Sequence, residues 1–453
     1  MRSASGILVA AALTFASARA AEFRVASYGA KGDGKTVDTV AIQKAIDAAA
    51  AAGGGTVVFQ PGVYASGALF LKSGTHLRVD QGVEIRGVQD LAAYPVMWTR
   101  IAGIEMNWPA ALINVYQQSK VSLSGQGVID GDGKVWWDKY WDLRKQYEPR
   151  GLRWASDYDC MRPRLIQIYK SSNVEVRGLT LRRSGFWTVH ICYSDNVTVD
   201  GLTIRNNIGG RGPSTDGIDV DSSSHVLVQR CDIECNDDAL CLKAGRDADG
   251  LRVNRPARQV VIRDCTIRGG AAGVTIGSET SGGIRDVQVY RLKVLRPVPN
   301  GILFKSARTR GGRVENIAIR DLEMEGVATP INVNLNWNPS YSYASLPEGA
   351  KDIPAYWKAL TERVPPEKGL PHFRKVRISG IRASGARRAI SASAYPDAPL
   401  VDFQFKSLEI EAQSAGSIQN ALDWLFVNAH FKTADGSRVA VKDSRGVRGI
   451  AEE

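Results

Sequence analysis

From mid-chain onward apolar residues recur in one short pattern, apolar-x-apolar-x-x-apolar-x-apolar. Val174, Val176, Leu179 and Leu181 form one copy, Val197, Val199, Leu202 and Ile204 the next, and Val226, Val228, Cys231 and Ile233 the third. Copies beginning at Val260, Val287 and Ile317 follow, with weaker ones at Val376 and Phe403. The anchors lie roughly 23 to 34 residues apart, with one longer interval, a period that marks a solenoid. Alternation within each copy, with β-branched residues and short Gly, Asn and Asp punctuation, predicts strands. No helical stretch separates the copies, which argues against a βαβ sheet, and the Leu and Asn spacing of leucine-rich repeats is absent. An all-β parallel β-helix remains, whose turns stack about 4.8 Å apart around a core that no single turn buries alone.

Two kinds of segment break the repeat. Thr39 to Ala52 is alanine-rich, carries Ile42 and Ile46 at helical spacing and ends at Gly53-Gly54-Gly55, which predicts a short N-terminal helix capping the open end of the solenoid. Long insertions are expected at about 131–160, where Trp136, Trp137, Tyr140, Trp141, Tyr147, Trp154 and Tyr158 crowd together, and at about 337–373. Such insertions gather on one face of a solenoid, often the binding face. Each aromatic there serves equally well for sugar stacking or for packing the loop.

A second strand of each turn aligns by hand. Its copies are Trp187–Cys192, Asp216–Asp221, Asp238–Lys243, Ala272–Gly277 and Asn300–Lys305, always apolar at the third and fifth positions. Alternation sends the fourth and sixth positions away from the core: His190 and Cys192, Asp219 and Asp221, Cys241 and Lys243, Thr275 and Gly277, Leu303 and Lys305. The strand starts place Asp216 and Asp238 one turn apart with Asp237 adjoining. For any one aspartate, turn capping or pairing with Lys243 is explanation enough. Three together are better explained by catalysis, because neighbouring carboxylates push one another's pKa values apart and so supply an acid beside a base. Inverting glycosidases need that pairing, with carboxyls about 6.5 to 9.5 Å apart, roughly the scale that successive turns provide.

Bulk properties narrow the setting. Arg2, the apolar run Ile7 to Ala18 and Ala18-Arg19-Ala20 predict a cleaved export signal over residues 1–20, leaving 21–453 as a single domain in the periplasm or outside the cell. The net charge of +11 suits a polyanionic partner. Export points to an acidic polysaccharide; the cations are dispersed, no nucleic-acid motif accompanies them, and no later segment reads as membrane-spanning. Cys231 and Cys265 replace leucine at inward positions of adjacent turns and read as small buried hydrophobes rather than a disulfide. Cys231, Cys235 and Cys241 lack a histidine at metal-ligand spacing, so no metal is expected.

The aspartates sit in motifs that resemble those of glycoside hydrolase family 28, the polygalacturonases. Ser214-Thr215-Asp216-Gly217 is similar to the family's Asn-Thr-Asp motif and Asn236-Asp237-Asp238 to its x-Asp-Asp motif. Further likeness runs along Arg162–Gln167, Gly185-Phe186-Trp187 with His190, Lys243–Asp249, Gly277–Gly283, Gly311–Asn316 and the opening Tyr28–Gly34. The resemblance implies a single-stranded, right-handed parallel β-helix and inverting hydrolysis of α-galacturonosyl bonds in pectin by a monomer without metal or organic cofactor. It gives Asp237 the role of general acid and Asp216 and Asp238 that of orienting and deprotonating water. Lys305, Lys243, His190, Asp219, Leu303, Arg246 and Glu279 are the candidate substrate contacts. Two positions depart from the family: its Gly-His-Gly histidine is Ala272, and its Arg-Ile-Lys arginine is Leu303. An outward Leu303 favours a rhamnose methyl over a carboxylate on the leaving side, since a charge desolvated against leucine is costly, and so suggests rhamnogalacturonan as the backbone cleaved. A calcium-dependent pectate lyase and a non-catalytic pectin-binding β-helix are the alternatives.

Overall fold

The structure, a computed structural model, describes residues 21–450; the expected export signal lies outside them. Its strands join into one large parallel sheet wound into a solenoid, the predicted all-β fold. The ladder that matters for chemistry stacks β1 (Ile113–Tyr116), β2 (Ile166–Tyr169), β3 (Val189–Cys192), β4 (Ile218–Asp221), β5 (Asp238–Lys243), β6 (Ala272–Ile276), β7 (Asn300–Lys305) and β8 (Thr329–Asn334). Register is unbroken along it: Ile191 sits beside Val220, Val220 beside Leu242, Leu242 beside Ile276 and Ile276 beside Phe304.

The apolar repeat read from sequence spans a corner. Val174 and Val176 belong to one strand and Leu181 to the next, with Leu179 just before it, and the chain bends between them. The bend residue has positive φ in every copy: Gly178 at 74°, Gly201 at 65°, Arg230 at 54°, Asp264 at 57°, Arg291 at 55°, Asp321 at 58°. A left-handed residue turns the corner while both flanking strands keep their apolar side chains inward. The resulting layers, such as Val174, Val197, Val226, Val260 and Val287, are buried in one continuous core.

α1 (Thr39–Ala51) caps this core with Ile42, Ala45, Ile46 and Ala49, as the sequence pattern predicts. Toward the far end the core becomes aromatic: Phe403 stacks on Trp424 at 4.9 Å and Phe405 on Phe426 at 4.4 Å.

The insertions build a second, smaller core. α2 (Lys134–Tyr147) and the short helical turns after it carry Trp136, Trp137, Tyr140, Trp154 and Tyr158 as buried residues, so these aromatics pack the loop. Leu360 of the second insertion joins Trp154 and Tyr158 there, and Trp357 meets Trp154 edge-on at 4.9 Å. An antiparallel hairpin, Val96–Ile101 with Ile104–Pro109, completes this layer. Sequence reasoning missed it. Its signal was Ile104-x-Met106-x-Trp108 after the two-residue turn Ala102-Gly103, both with positive φ, a hairpin combination. All six cysteines are free and buried, Cys231 and Cys265 among them, as expected.

Candidate active site

β4 and β5 set the three aspartates. Asp238 opens β5, and the Gly217 amide donates to the Asp238 carbonyl at 2.9 Å, bringing Asp216 onto the layer beside Asp238. Asp237 precedes Asp238 on the rim. All three line one pocket with Lys243, Glu279 and Lys305. Its walls come from the insertions: Ala102 from the hairpin turn, Arg153 and Asp157 from the first insertion, Trp337, Asn338 and Tyr341 from the second.

Two buried ammonium groups organise the floor. Lys305 Nζ donates to Asp238 Oδ2 at 2.7 Å, while Thr275 Oγ1 donates to Asp238 Oδ1 at 2.9 Å. Lys243 Nζ lies 3.4 Å from Asp216, 3.6 Å from Asp219, 3.9 Å from Asp238 and 3.5 Å from Glu279, with its charge 4.8 Å over the Trp187 ring. The four carboxylates therefore titrate differently. Burial opposes the charge of Asp238, but Lys305 and Lys243 outweigh it and hold this carboxyl below the usual range. Asp237 is raised by burial and by the charge of Asp238. Burial raises both Asp216 and Asp219: Asp216, with the charge of Asp219 adding, goes well above the usual range, and Asp219, with the charge of Asp238 adding, to about 8. A carboxyl whose pKa is raised thus stands next to one whose pKa is lowered, the kind of pairing that acid–base cleavage of a glycosidic bond uses.

The remaining candidates divide by burial. Lys243, Glu279 and Lys305 face the pocket. His190, Asp219, Leu303 and Arg246 have no exposed surface and do not line the pocket. Loops and insertions cover the strand face that alternation left pointing outward. Arg164 donates to His190 Nδ1 at 2.6 Å, and His190 Nε2 lies 3.4 Å from Asp221, which Arg100 of the hairpin also pairs at 2.9 Å. Burial pushes His190 down to about 4, which keeps it neutral in this layer. Arg246 anchors the second insertion through the Tyr341 carbonyl at 2.7 Å and also donates to the Tyr158 hydroxyl at 3.0 Å. Leu303 is held between Thr275 and Asn332 in the ladder, is fully buried and does not line the pocket.

Two clusters offer close metal-ligand atoms among the described residues, Asp216 with Asp238 and Cys241, and His190 with Cys192 and Asp221. Both fit a cation poorly, because Lys243 and Lys305 already neutralise the first and Arg100 and Arg164 flank the second. Sequence reasoning did not find Arg153, Asp157 or Tyr341. No periodic signal marks them: Arg153 and Asp157 lie in the first insertion and Tyr341 in the second.

Residues 58–349 match the sequence profile described as Glycosyl hydrolases family 28. The chain belongs to that family. A second profile, Rhamnogalacturonase A/epimerase, pectate lyase-like, matches residues 23–81 at the capped end, away from the pocket. Among relatives of this family 28 chain, a probable polygalacturonase of Vitis vinifera is 31% identical over 70% of it and 64% of the relative. An exo-poly-alpha-D-galacturonosidase of Dickeya chrysanthemi is 24% identical over 90% of this chain and 70% of its own. The chain thus spans about two thirds of the length of these relatives. A solved exopolygalacturonase from Thermotoga maritima superposes with a TM-score of 0.73 at 25% identity, covering 95% of this chain and 93% of that one.

Proposed function

We propose that this protein hydrolyses α-galacturonosyl bonds of pectic galacturonan with inversion, working from chain ends. The carrying observation is Asp237, its carboxyl raised by burial and by its neighbour, beside Asp238, held ionised by Lys305 and Lys243. Asp237 protonates the glycosidic oxygen. Asp238 takes the proton of an attacking water that Asp216 helps orient, and the opposite placement of acid and base inverts the anomeric carbon. The hairpin turn and both insertions wall the aspartates into a pocket where a bare β-helix presents an open groove, and a pocket admits a chain terminus more readily than a chain interior. The family 28 relatives named for exo action are in keeping with this reading. With Leu303 buried, pure galacturonan is preferred over rhamnogalacturonan. Export by the leader read from sequence would place the enzyme with its substrate; among the described residues no helix is long and apolar enough to cross a membrane.

The test is digestion of polygalacturonate and of rhamnogalacturonan backbone, with products followed by chromatography. Exo action releases mono- or digalacturonate from the first minutes while viscosity falls slowly. A fast viscosity drop with a ladder of oligomers overturns the chain-end reading, and an unsaturated product absorbing in the near ultraviolet overturns hydrolysis.

A further inference from the structure

The pocket wall carries three cations, Arg153, Lys243 and Lys305. Two of them are committed. Lys305 is bonded to Asp238 at 2.7 Å, and Lys243 stands within 3.4 to 3.9 Å of four carboxylates. Arg153 is different. Nη1 donates to Asp157 Oδ2 at 3.0 Å, Nε is buried without a partner, and the side chain is 13% exposed. Asp157 does not consume this charge alone, because Arg162 donates to its other oxygen at 3.1 Å. Two guanidinium groups share one carboxylate, which leaves one positive charge uncompensated at the wall.

That wall lies on the Asp216 side: the Ser214 hydroxyl, two residues before Asp216, donates to Asp157 at 2.8 Å. Lys305 comes from three turns further along the ladder. The Tyr341 ring, with Arg153 at 5.2 Å from its centroid, limits where the guanidinium can swing. An anionic sugar entering among Asp216, Asp237 and Asp238 meets repulsion unless a cation receives its carboxylate. We propose that Arg153 binds the carboxylate of the terminal galacturonate, on the side of the scissile bond away from Lys305, and so selects an acidic over a neutral chain end. This inference rests on the galacturonan reading above.

The experiment compares kcat/KM for trigalacturonate with that for the same trimer whose non-reducing terminal carboxyl is reduced to the alcohol. A charge-assisted guanidinium–carboxylate pair in a partly dry pocket gives wild type a preference of about 10- to 100-fold for the acid. In Arg153→Gln that preference falls to within about 3-fold of unity, and Arg153→Lys restores part of it. Losing Arg153 also removes one of the two guanidinium groups that pair Asp157, so Tm is followed in each variant. The acid-to-alcohol ratio is internal to each protein and is insensitive to the fraction folded. A ratio unchanged in Arg153→Gln overturns the inference while leaving the galacturonan reading intact. Failure of wild type to cleave trigalacturonate overturns both.

Discussion

Replacing Lys305 with methionine tests whether the floor of the pocket sets the protonation states that cleavage needs. In wild type the Lys305 ammonium touches Asp238 at 2.7 Å, Lys243 stands further off at 3.9 Å, and both groups are buried. Removing one partner of a buried pair typically costs about 3 to 5 kcal/mol. At about 1.4 kcal/mol per pKa unit that caps the rise of Asp238 at about 2 to 4 units. Lys243 and the Thr275 hydroxyl remain, so a rise of about 1 to 2 units is expected. Asp238 must be ionised to act as base, and activity is therefore lost as pH falls through its pKa; in Lys305→Met this acid limb moves upward. Lys305 also works against the raised carboxyl of Asp237, which must stay protonated to act as acid. Its removal moves the basic limb upward too. Measured as kcat/KM for reducing-end release between pH 3 and 9, the whole bell shifts to higher pH, while Lys305→Arg holds its place. A lower bell at unchanged pH would refute the reasoning and leave Lys305 as a substrate contact alone.

Asp237→Asn, which leaves the pocket shape intact but removes the acid, should lower kcat by at least about 100-fold with unchanged Tm; activity within tenfold of wild type would disprove the assignment. Leu303→Arg brings an unpaired charge into a fully buried layer and should cost about 3 kcal/mol or more, read as a fall in Tm. A stable Leu303→Arg enzyme with altered sugar preference would return this residue to the binding site. Asp221 is pushed down to about 2, because Arg100 and His190 outweigh its burial; its stabilisation is present above the ordinary carboxylate pKa of about 4 and is lost as pH falls toward 2. Unfolding followed from pH 5 to 2 should therefore depend less on pH in Asp221→Asn than in wild type, and parallel curves would count against this. Asp219, fully buried beside Asp216, is pushed up to about 8. Asp219→Asn, a mimic of the protonated acid, should stay within about 5-fold of wild-type kcat while Asp219→Leu falls further, and equal damage from both would mean that Asp219 works ionised.

The solenoid was legible because its signal is repeated: each turn must present apolar residues at the same strand positions and a left-handed residue at the same corner. The aspartates were legible for a related reason, since register turns sequence spacing into stacking, and Asp216 lands beside Asp238. Exposure was not legible. Alternation says only that His190, Asp219 and Leu303 leave the solenoid core, and whether they reach water depends on segments that come from elsewhere in the chain. Arg100, 121 residues before its partner Asp221, and Tyr341, 62 residues after its partner Glu279, close over that face. Contacts between a loop and a distant strand have no period, and for the same reason Arg153 and Asp157 carried no readable signal.

The charges of the site explain how so acidic a pocket accepts an acidic chain. Five carboxyls, Asp216, Asp219, Asp237, Asp238 and Glu279, cluster in and beneath it; burial raises Asp216, Asp219 and Asp237 above the usual carboxylate range, while nearby cations hold Asp238 and Glu279 below it. Lys243 and Lys305 face these carboxyls on the floor, and the Arg153, Asp157 and Arg162 group adds two guanidinium groups to one carboxylate. The pocket-lining cation least engaged by the floor carboxyls is therefore Arg153, on the wall. On the proposed function, a galacturonate carboxylate would be drawn to that wall rather than to Lys305. Asp237 would then keep its proton until the glycosidic oxygen takes it, and Asp238 its charge until water delivers a proton. Pairing the floor carboxyls with cations from the fold itself would let the same carboxyls bind a polyanion and act on it.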